Sequence, residues 1–443
     1  MTNRLKIEYR GIDALRPSDS NARTHSKKQI KQIAESITRF GFTNAILITG
    51  DGGIVAGHGR VTAAAQLGMK TVPAVVLDDL TDDEIRAYML ADNKLALNAG
   101  WNSSILAIEM QGLLDIGFDL ELTGFSLAEI DFTLDGASNA EPEGAELGAE
   151  DTVIPLVDEA VSRSGDLWQM GQHCLICGDA RDPADFEAVT FDEPVDLIFT
   201  DPPYNCKING NVCGLGKIKH REFAMASGEM SDEGFTGFLT QTLGLAAARC
   251  KDGAIAYVCM DWRGMGPLLA AGKTAFTEQK QLCVWNKTNG GMGAFYRSKH
   301  ELVFVYKIGT AAHTNSFGLG ETGRYRTNVW DYAGISSPTS TRAEDLARHP
   351  TSKPVAMVAD AIRDCTRRGE LVLDPFGGSG TTLIAAEICG RSARLIEYDP
   401  LYCDAIIRRF ETLTGQQAIL MGSCESFEDV AAARAQSPAR EAS

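Results

Sequence analysis

The chain has no cysteine before Cys174, no lysine or arginine from Leu95 to Ser162, and no apolar run near the roughly 20 residues that cross a bilayer. The missing apolar run argues against a membrane partner. The first ten residues, Met1 to Arg10, also lack an apolar signal core, so a cytoplasmic setting is expected. In that setting the eleven scattered cysteines read as reduced thiols. Cys174 and Cys177 form a CxxC pair, but Cys206 and Cys213 are poorly spaced to complete a zinc site, and Cys174 to Cys177 itself reads as a short strand. Buried structural thiols are therefore expected, and no metal.

The gap in basic residues explains the net charge of -17. Fourteen carboxylates fall between Leu95 and Ser162, which leaves the rest of the chain at only -3. The acidity thus belongs to a connecting segment. Between Asn205 and Asp345, 16 Lys and Arg face 12 Asp and Glu, a balance that permits a polyanionic partner there.

With 443 residues, 44% of them hydrophobic, the chain can bury two or three cores. Residues 1 to 95 read as a small α/β unit. A helix over Ser26 to Arg39 stops at Gly41; strands follow at Ala45 to Thr49 and Ile54 to Val55, then a helix through Val61 to Leu67 and a strand at Val72 to Leu77. Residues 96–153 read as a helical connector with an acidic linker, residues 154–421 as a second α/β domain, and residues 422–443 as a partly disordered tail.

Two motifs in the larger domain carry chemistry. The apolar run Val195 to Phe199 leads into Thr200-Asp201-Pro202-Pro203-Tyr204-Asn205 and reads as the lip of a buried parallel strand. The two prolines lack backbone donors and keep the chain extended. Asp201 then offers a carboxylate, the proline segment free carbonyls and Tyr204 a flat ring. That set suits the amino group of a flipped nucleobase. The second motif, Asp374-Pro375-Phe376-Gly377-Gly378-Ser379-Gly380-Thr381-Thr382, lies between the strand Leu371 to Leu373 and a helix over Thr382 to Cys389. It brings a ligand against bare backbone at a helix amino terminus. Its spacing is not a dinucleotide fingerprint, and no lysine precedes Thr381 as a phosphate loop requires. A phosphate-free adenosyl ligand fits better. Glu397, ending the strand Ala393 to Ile396, can hold two ribose hydroxyls.

Over roughly residues 160 to 420 these motifs resemble the adenine-specific DNA methyltransferases that use S-adenosylmethionine, in the circular arrangement with the catalytic block ahead of the cofactor loop. The resemblance implies a Rossmann-like α/β sheet with helices on both faces. It makes Asp201, Pro202, Pro203 and Tyr204 the catalytic block, and Asp374, Phe376, Gly377, Gly378, Ser379, Gly380 and Thr381 the loop around the methionine. Glu397 would hold the ribose and Asp179 would stand near the cofactor's adenine. In His349-Pro350-Thr351-Ser352-Lys353-Pro354, the residues Thr351, Lys353 and Pro354 would cover the methionine end. The implied reaction is direct transfer to the adenine amino nitrogen in double-stranded DNA. Residues 205 to 345 would hold the target-recognition region, with Lys217, Lys219, Arg221, Arg297, Lys299, Arg324 and Arg326 as DNA contacts. A cytosine N4 methyltransferase uses the same geometry, usually with serine where Asp201 stands. A DNA-binding regulator with a degenerate methyltransferase domain is the other alternative.

At the amino terminus, Asn21-Ala22-Arg23-Thr24-His25 followed by Gly57-His58-Gly59-Arg60 resembles the ParB and sulfiredoxin superfamily, a small α/β domain. The resemblance implies that Arg23 and the Gly57 to Arg60 loop take nucleotide phosphates. Sulfiredoxin chemistry needs a loop thiol and is excluded, and His58-Gly59 replaces the acidic and basic pair usual in partition proteins. DNA positioning, a nuclease activity and a homodimer stay open.

Overall fold

The computed structural model describes residues 5–18, 20–138, 154, 156, 159–205, 228–287, 296–316, 326–332 and 353–436. The chain divides into two compact units, Met1–Glu141 and Pro142–Ser443.

The first unit is built on a four-stranded sheet. Strand β1 (Ile7–Gly11) precedes helix α1 (Lys27–Phe40), then come β2 (Ile46–Ile48), β3 (Ile54–Ala56), α2 (His58–Gln66) and β4 (Thr71–Val76), in the sheet order β1-β4-β2-β3. Ser26 caps α1 by accepting from the Gln29 amide at 3.1 Å, and Gly41 ends it at φ 80°. Ile46, Ile48, Ile54, Ala64, Val72 and Ala74 form the core. The long helical pattern from Asp82 resolves into α3 (Asp82–Leu97), α4 (Ser103–Asp115), a 3-10 turn at Leu120–Thr123 and α5 (Leu127–Ser138). Each helix has its own start signal: a capping box at Thr81 and Glu84, the Asn102 cap, and Ser126 paired with Glu129. Met110, Leu120, Ile130 and Leu134 give α4, the turn and α5 a small core of their own, within what reads in sequence as a connector.

The second unit is an eleven-stranded sheet. Its strands are β5 (Leu167–Met170), β6 (His173–Cys177), β7 (Val195–Thr200), β8 (Cys250–Met260), β9 (Glu278–Asn286), β10 (His300–Lys307), β11 (Val329–Asp331), β12 (Leu371–Asp374), β13 (Ser392–Glu397), β14 (Ala418–Leu420) and β15 (Glu425–Ser426), in the order β11-β9-β10-β8-β7-β12-β13-β6-β5-β14-β15. The five strands β8, β7, β12, β13 and β6 run parallel, with antiparallel strands flanking them. Successive side chains of β7 enter different cores: Leu197 and Phe199 on one face, Ile198 between them on the other. Helices α6 (Pro183–Thr190), α7 (Asp232–Ala248) and α8 (Met265–Ala275) cover the second face; α9 (Val355–Cys365), α10 (Thr381–Cys389) and α11 (Pro400–Thr414) cover the first. β12 stands between β7 and β13, so the carboxyl ends of these three strands form the switch point where α/β sheets bind ligands. Cys174 and Cys177, three apart on β6, join opposite cores. Among the described residues no helix is long and apolar enough to cross a membrane.

The stretch from Gly422 differs from its expected tail. β15 pairs with β14, and α12 (Phe427–Gln436) docks by placing Phe427 edge-on to Trp168, ring centroids 5.4 Å apart. Arg434 adds an ion pair to Asp166, 2.5 Å apart. Two apolar residues and one cation in a polar stretch gave too weak a periodicity to read. Phe427→Ala is expected to cost about 3 to 5 kcal/mol of stability, measured by denaturant unfolding of the full chain.

Candidate active site at the carboxyl ends of the central strands

Thr200 ends β7 and donates to Asp374 Oδ1 at 2.9 Å. The same carboxylate accepts from the Phe376 amide at 3.1 Å and from Thr382 Oγ1 at 2.6 Å. Asp374 thus ties β7, the glycine loop and α10 together, with its oxygens turned inward. Burial pushes its carboxyl up to about 7 despite those donors.

The loop itself is shaped for close approach. Gly378 and Gly380 have φ of 53° and 78°. A side chain at Gly377 would meet Ile406 and Leu395 at 3.3 Å and Glu397 at 3.4 Å. Phe376 packs against Phe238, centroids 5.8 Å apart, and Ser379 lies 3.1 Å from Thr381 across their hydroxyls. Glu397 closes β13 beside the loop, accepting from the Gly378 amide at 2.7 Å and the Asp399 amide at 2.8 Å. Burial pushes its carboxyl up to about 7. At the end of β6, Gly178 donates to the Glu397 carbonyl at 2.9 Å, which brings Asp179 alongside. The Asp179 carboxylate is engaged by Arg181, Nη2 at 2.6 Å, whose hydrogen bonds hold it below the usual carboxylate range.

Beyond Thr200, Asp201 stands at the mouth of the sheet with Pro202 buried behind it. Tyr204 donates its hydroxyl to Asp201 Oδ1 at 2.6 Å, and Lys353 pairs with Oδ2. Lys353 is itself buried, leads into α9 through the buried Pro354, and reaches Glu301 Oε2 at 3.2 Å. Lys287, at the end of β9, pairs with the other Glu301 oxygen. Burial pushes the Asp201 carboxyl up, Lys353 opposes this, and Glu301 adds to it. Burial would likewise raise Glu301, but Lys353 and Lys287 outweigh it and hold that carboxyl at about 2.

The expected DNA contacts divide. Lys217, Lys219, Arg221 and Arg324 lie outside the described residues, as does Thr351. Arg297 and Lys299 are exposed just before β10. Arg326 is set apart from them: it points inward, donating to Asp364 at 3.0 Å and Tyr332 at 2.8 Å, with its guanidinium 5.2 Å from the Trp330 ring. That cation is engaged within the fold. Asn205, left-handed at φ 53°, bonds Gly228 and Met230 and so joins the two ends of the intervening segment 206–227.

In the amino-terminal unit, Gly57 is left-handed at φ 101° and starts α2. The Ser18 amide donates to His58 Nε2 at 3.2 Å, and any side chain at Gly59 would strike His25 at 3.1 Å. Arg60 turns back to donate to the Ala45 carbonyl at 3.0 Å, and Arg23 donates to Asn93 at 3.0 Å.

Family models match the chain in three places: a DNA methylase over residues 195–408, a ParB N-terminal domain over 3–94, and a ParB-methyltransferase HTH domain over 104–164. The chain carries an N6/N4 DNA methylase domain and a ParB N-terminal domain. The ParB-like nuclease domain-containing protein YnaK of Escherichia coli is 52% identical over 84 residues, 19% of this chain and 97% of YnaK. The DNA adenine methyltransferase YhdJ of E. coli is 26% identical over 251 residues, 51% of this chain and 79% of YhdJ. Among solved structures, the M1.HpyAVI-SAM complex matches 51% of this chain and 95% of its own at 20% identity and a TM-score of 0.37.

Sequence reasoning did not single out two members of the site, Glu301 and Lys287. A signal existed, since Glu301 precedes the apolar run Leu302 to Tyr306 much as Asp201 follows its own run. The third match, over the helices of the connector, was also unread.

Proposed function

We propose that this methylase transfers the methyl group of S-adenosylmethionine to the exocyclic amino nitrogen of a flipped adenine in DNA. The observation that carries this is one end of one sheet: the Asp201 and Tyr204 pair on β7 stands next to the glycine loop after β12 and Glu397 on β13.

The residues fit the cofactor. Each Glu397 oxygen accepts one backbone amide and keeps a lone pair for a ribose hydroxyl. The crowding around Gly377 keeps the loop as bare backbone at the start of α10. When bound, S-adenosylmethionine supplies an electrophilic methyl group on a sulfonium. Asp201 and the Pro202 carbonyl accept the two amino hydrogens of the base. An adenine amino nitrogen is a poor nucleophile because its lone pair spreads into the ring, and these acceptors draw the hydrogens out of plane and localise the pair. Tyr204 carries the flipped base. Aspartate at position 201 and the name of the relative YhdJ favour adenine over cytosine. Asp374 acts on the loop rather than on the cofactor. Arg297 and Lys299 contact DNA phosphates.

The test is expression of the full chain in methylation-free cells, followed by sequencing of their DNA with base-modification detection. N6-methyladenine in a defined motif is expected. N4-methylcytosine would replace the adenine assignment, and unmodified DNA with soluble protein would overturn the enzyme reading. Tyr204→Ala is expected to raise KM for DNA, with a loss of about 1 to 3 kcal/mol in base capture, read from steady-state kinetics.

For the ParB unit, we propose that the amino terminus of α2, opened by the left-handed Gly57, takes nucleotide phosphates with His58 beside it. Titration of the full chain with nucleoside triphosphates tests this.

A further inference from the structure

Asp201 meets the base with each oxygen already engaged by one donor and its charge shared with an ammonium. Oδ1 takes the Tyr204 hydroxyl at 2.6 Å and Oδ2 takes the Lys353 ammonium. That ammonium, with a side chain only 5% exposed, also lies 3.2 Å from Glu301 Oε2 and 3.2 Å from the Tyr204 oxygen. Lys287 holds Glu301 Oε1. Two carboxylates and two ammonium groups therefore form one connected, charge-balanced set, with Lys353 bridging the two acids.

Each Asp201 oxygen keeps a lone pair, but an amino hydrogen on Oδ2 competes with Lys353 for the same negative charge, and acceptance strengthens as Lys353 loosens its hold. An enclosed ammonium without a counter-ion is strongly disfavoured, so that loosening needs a second carboxylate already within reach. Glu301 is that group. We propose that Glu301 is a positioning residue for methyl transfer: it retains the Lys353 ammonium when the target base claims Asp201, so that the acceptor is freed without stranding a buried positive charge. This rests on the reading of Asp201 as the amino-group acceptor. Lys287 fixes the orientation of Glu301 from the far side.

The sign of a pH effect follows. Asp201 must be ionised to accept. The groups facing it are Lys353 ahead of α9, Glu301 on β10, Tyr204 on its own segment, Cys259 on β8 and Asp374 on β12. Glu301 raises the Asp201 carboxyl and Lys353 lowers it. Removing the Glu301 charge thus tightens Lys353 on Asp201 and moves its ionisation to lower pH. Removing the Lys287 charge lets Glu301 draw Lys353 more strongly and moves it to higher pH.

The experiment measures kcat against pH at saturating S-adenosylmethionine and saturating unmethylated genomic DNA, with the full chain. Glu301→Gln is expected to lower kcat roughly tenfold or more, the ratio that one pKa unit of charge interaction represents, while its acid limb shifts to lower pH. Glu301→Asp keeps the charge and should restore the limb with part of the rate. Lys287→Met should shift the limb upward. A purely structural role for Glu301 would lower the rate and leave the limb in place, which overturns the proposal, as would Glu301→Gln turning over like wild type. If Glu301→Gln does not fold, an unmoved limb in Lys287→Met overturns it alone. A wild-type chain that methylates nothing would instead bring down the underlying reading of Asp201, before any variant is compared.

Discussion

Asp201→Ala is expected to remove methyl transfer to below detection while S-adenosylmethionine still binds. Taking away one preorganised hydrogen-bonding group typically costs about 100 to 1,000-fold in turnover. Here the loss is compounded, because the lone pair of the target nitrogen must be localised before it can attack. The Lys353 ammonium would retain Glu301 as its partner at 3.2 Å, so the variant should fold. Glu397 and the Gly378 amide make their bonds on β13 and the loop without Asp201. Calorimetric titration with S-adenosylmethionine should therefore match wild type while transfer of a radiolabelled methyl group to DNA falls to background. Near-normal turnover would remove Asp201 from the reaction.

What could be read from sequence was local. The β7 lip and the glycine loop each announce themselves within ten residues: an apolar run, then proline or glycine at positions that fix backbone geometry. Strand β12 and helix α10 followed from the same pattern, with bounds within a residue. The ion set around Asp201 was not legible, because Lys353 lies 152 residues from its partner and meets it only through sheet topology. The inward setting of Arg326 was hidden for the converse reason. Set between Tyr325 and Trp330, it looks like a nucleic-acid strip, yet Asp360 and Asp364, spaced one helical turn apart on α9, claim it. Periodicity also missed α12, whose hold on the fold comes from Phe427, Val430 and Arg434.

Glu397 carries the second large effect, and it should be visible in pH. A carboxylate that accepts ribose hydroxyls must be ionised, whereas burial in this fold pushes its carboxyl up to about 7. In the free enzyme the protonated form therefore gains ground as pH falls through 7. Below that point S-adenosylmethionine has to displace a proton to obtain its acceptor, so affinity should weaken by up to about tenfold per pH unit and binding should release a proton. Well above 7 the affinity should level off. Glu397→Gln is isosteric and retains an acceptor, but it loses the charge and turns one amide donor toward the Gly378 or Asp399 N–H. It should weaken binding by about 1.5 to 3 kcal/mol, the range for a hydrogen bond to a charged group, and abolish the pH dependence. Calorimetry in buffers of different ionisation enthalpy reads both the affinity and the proton released. A wild-type affinity that stays flat from pH 5.5 to 8 would show that this carboxyl does not hold the ribose in its ionised form.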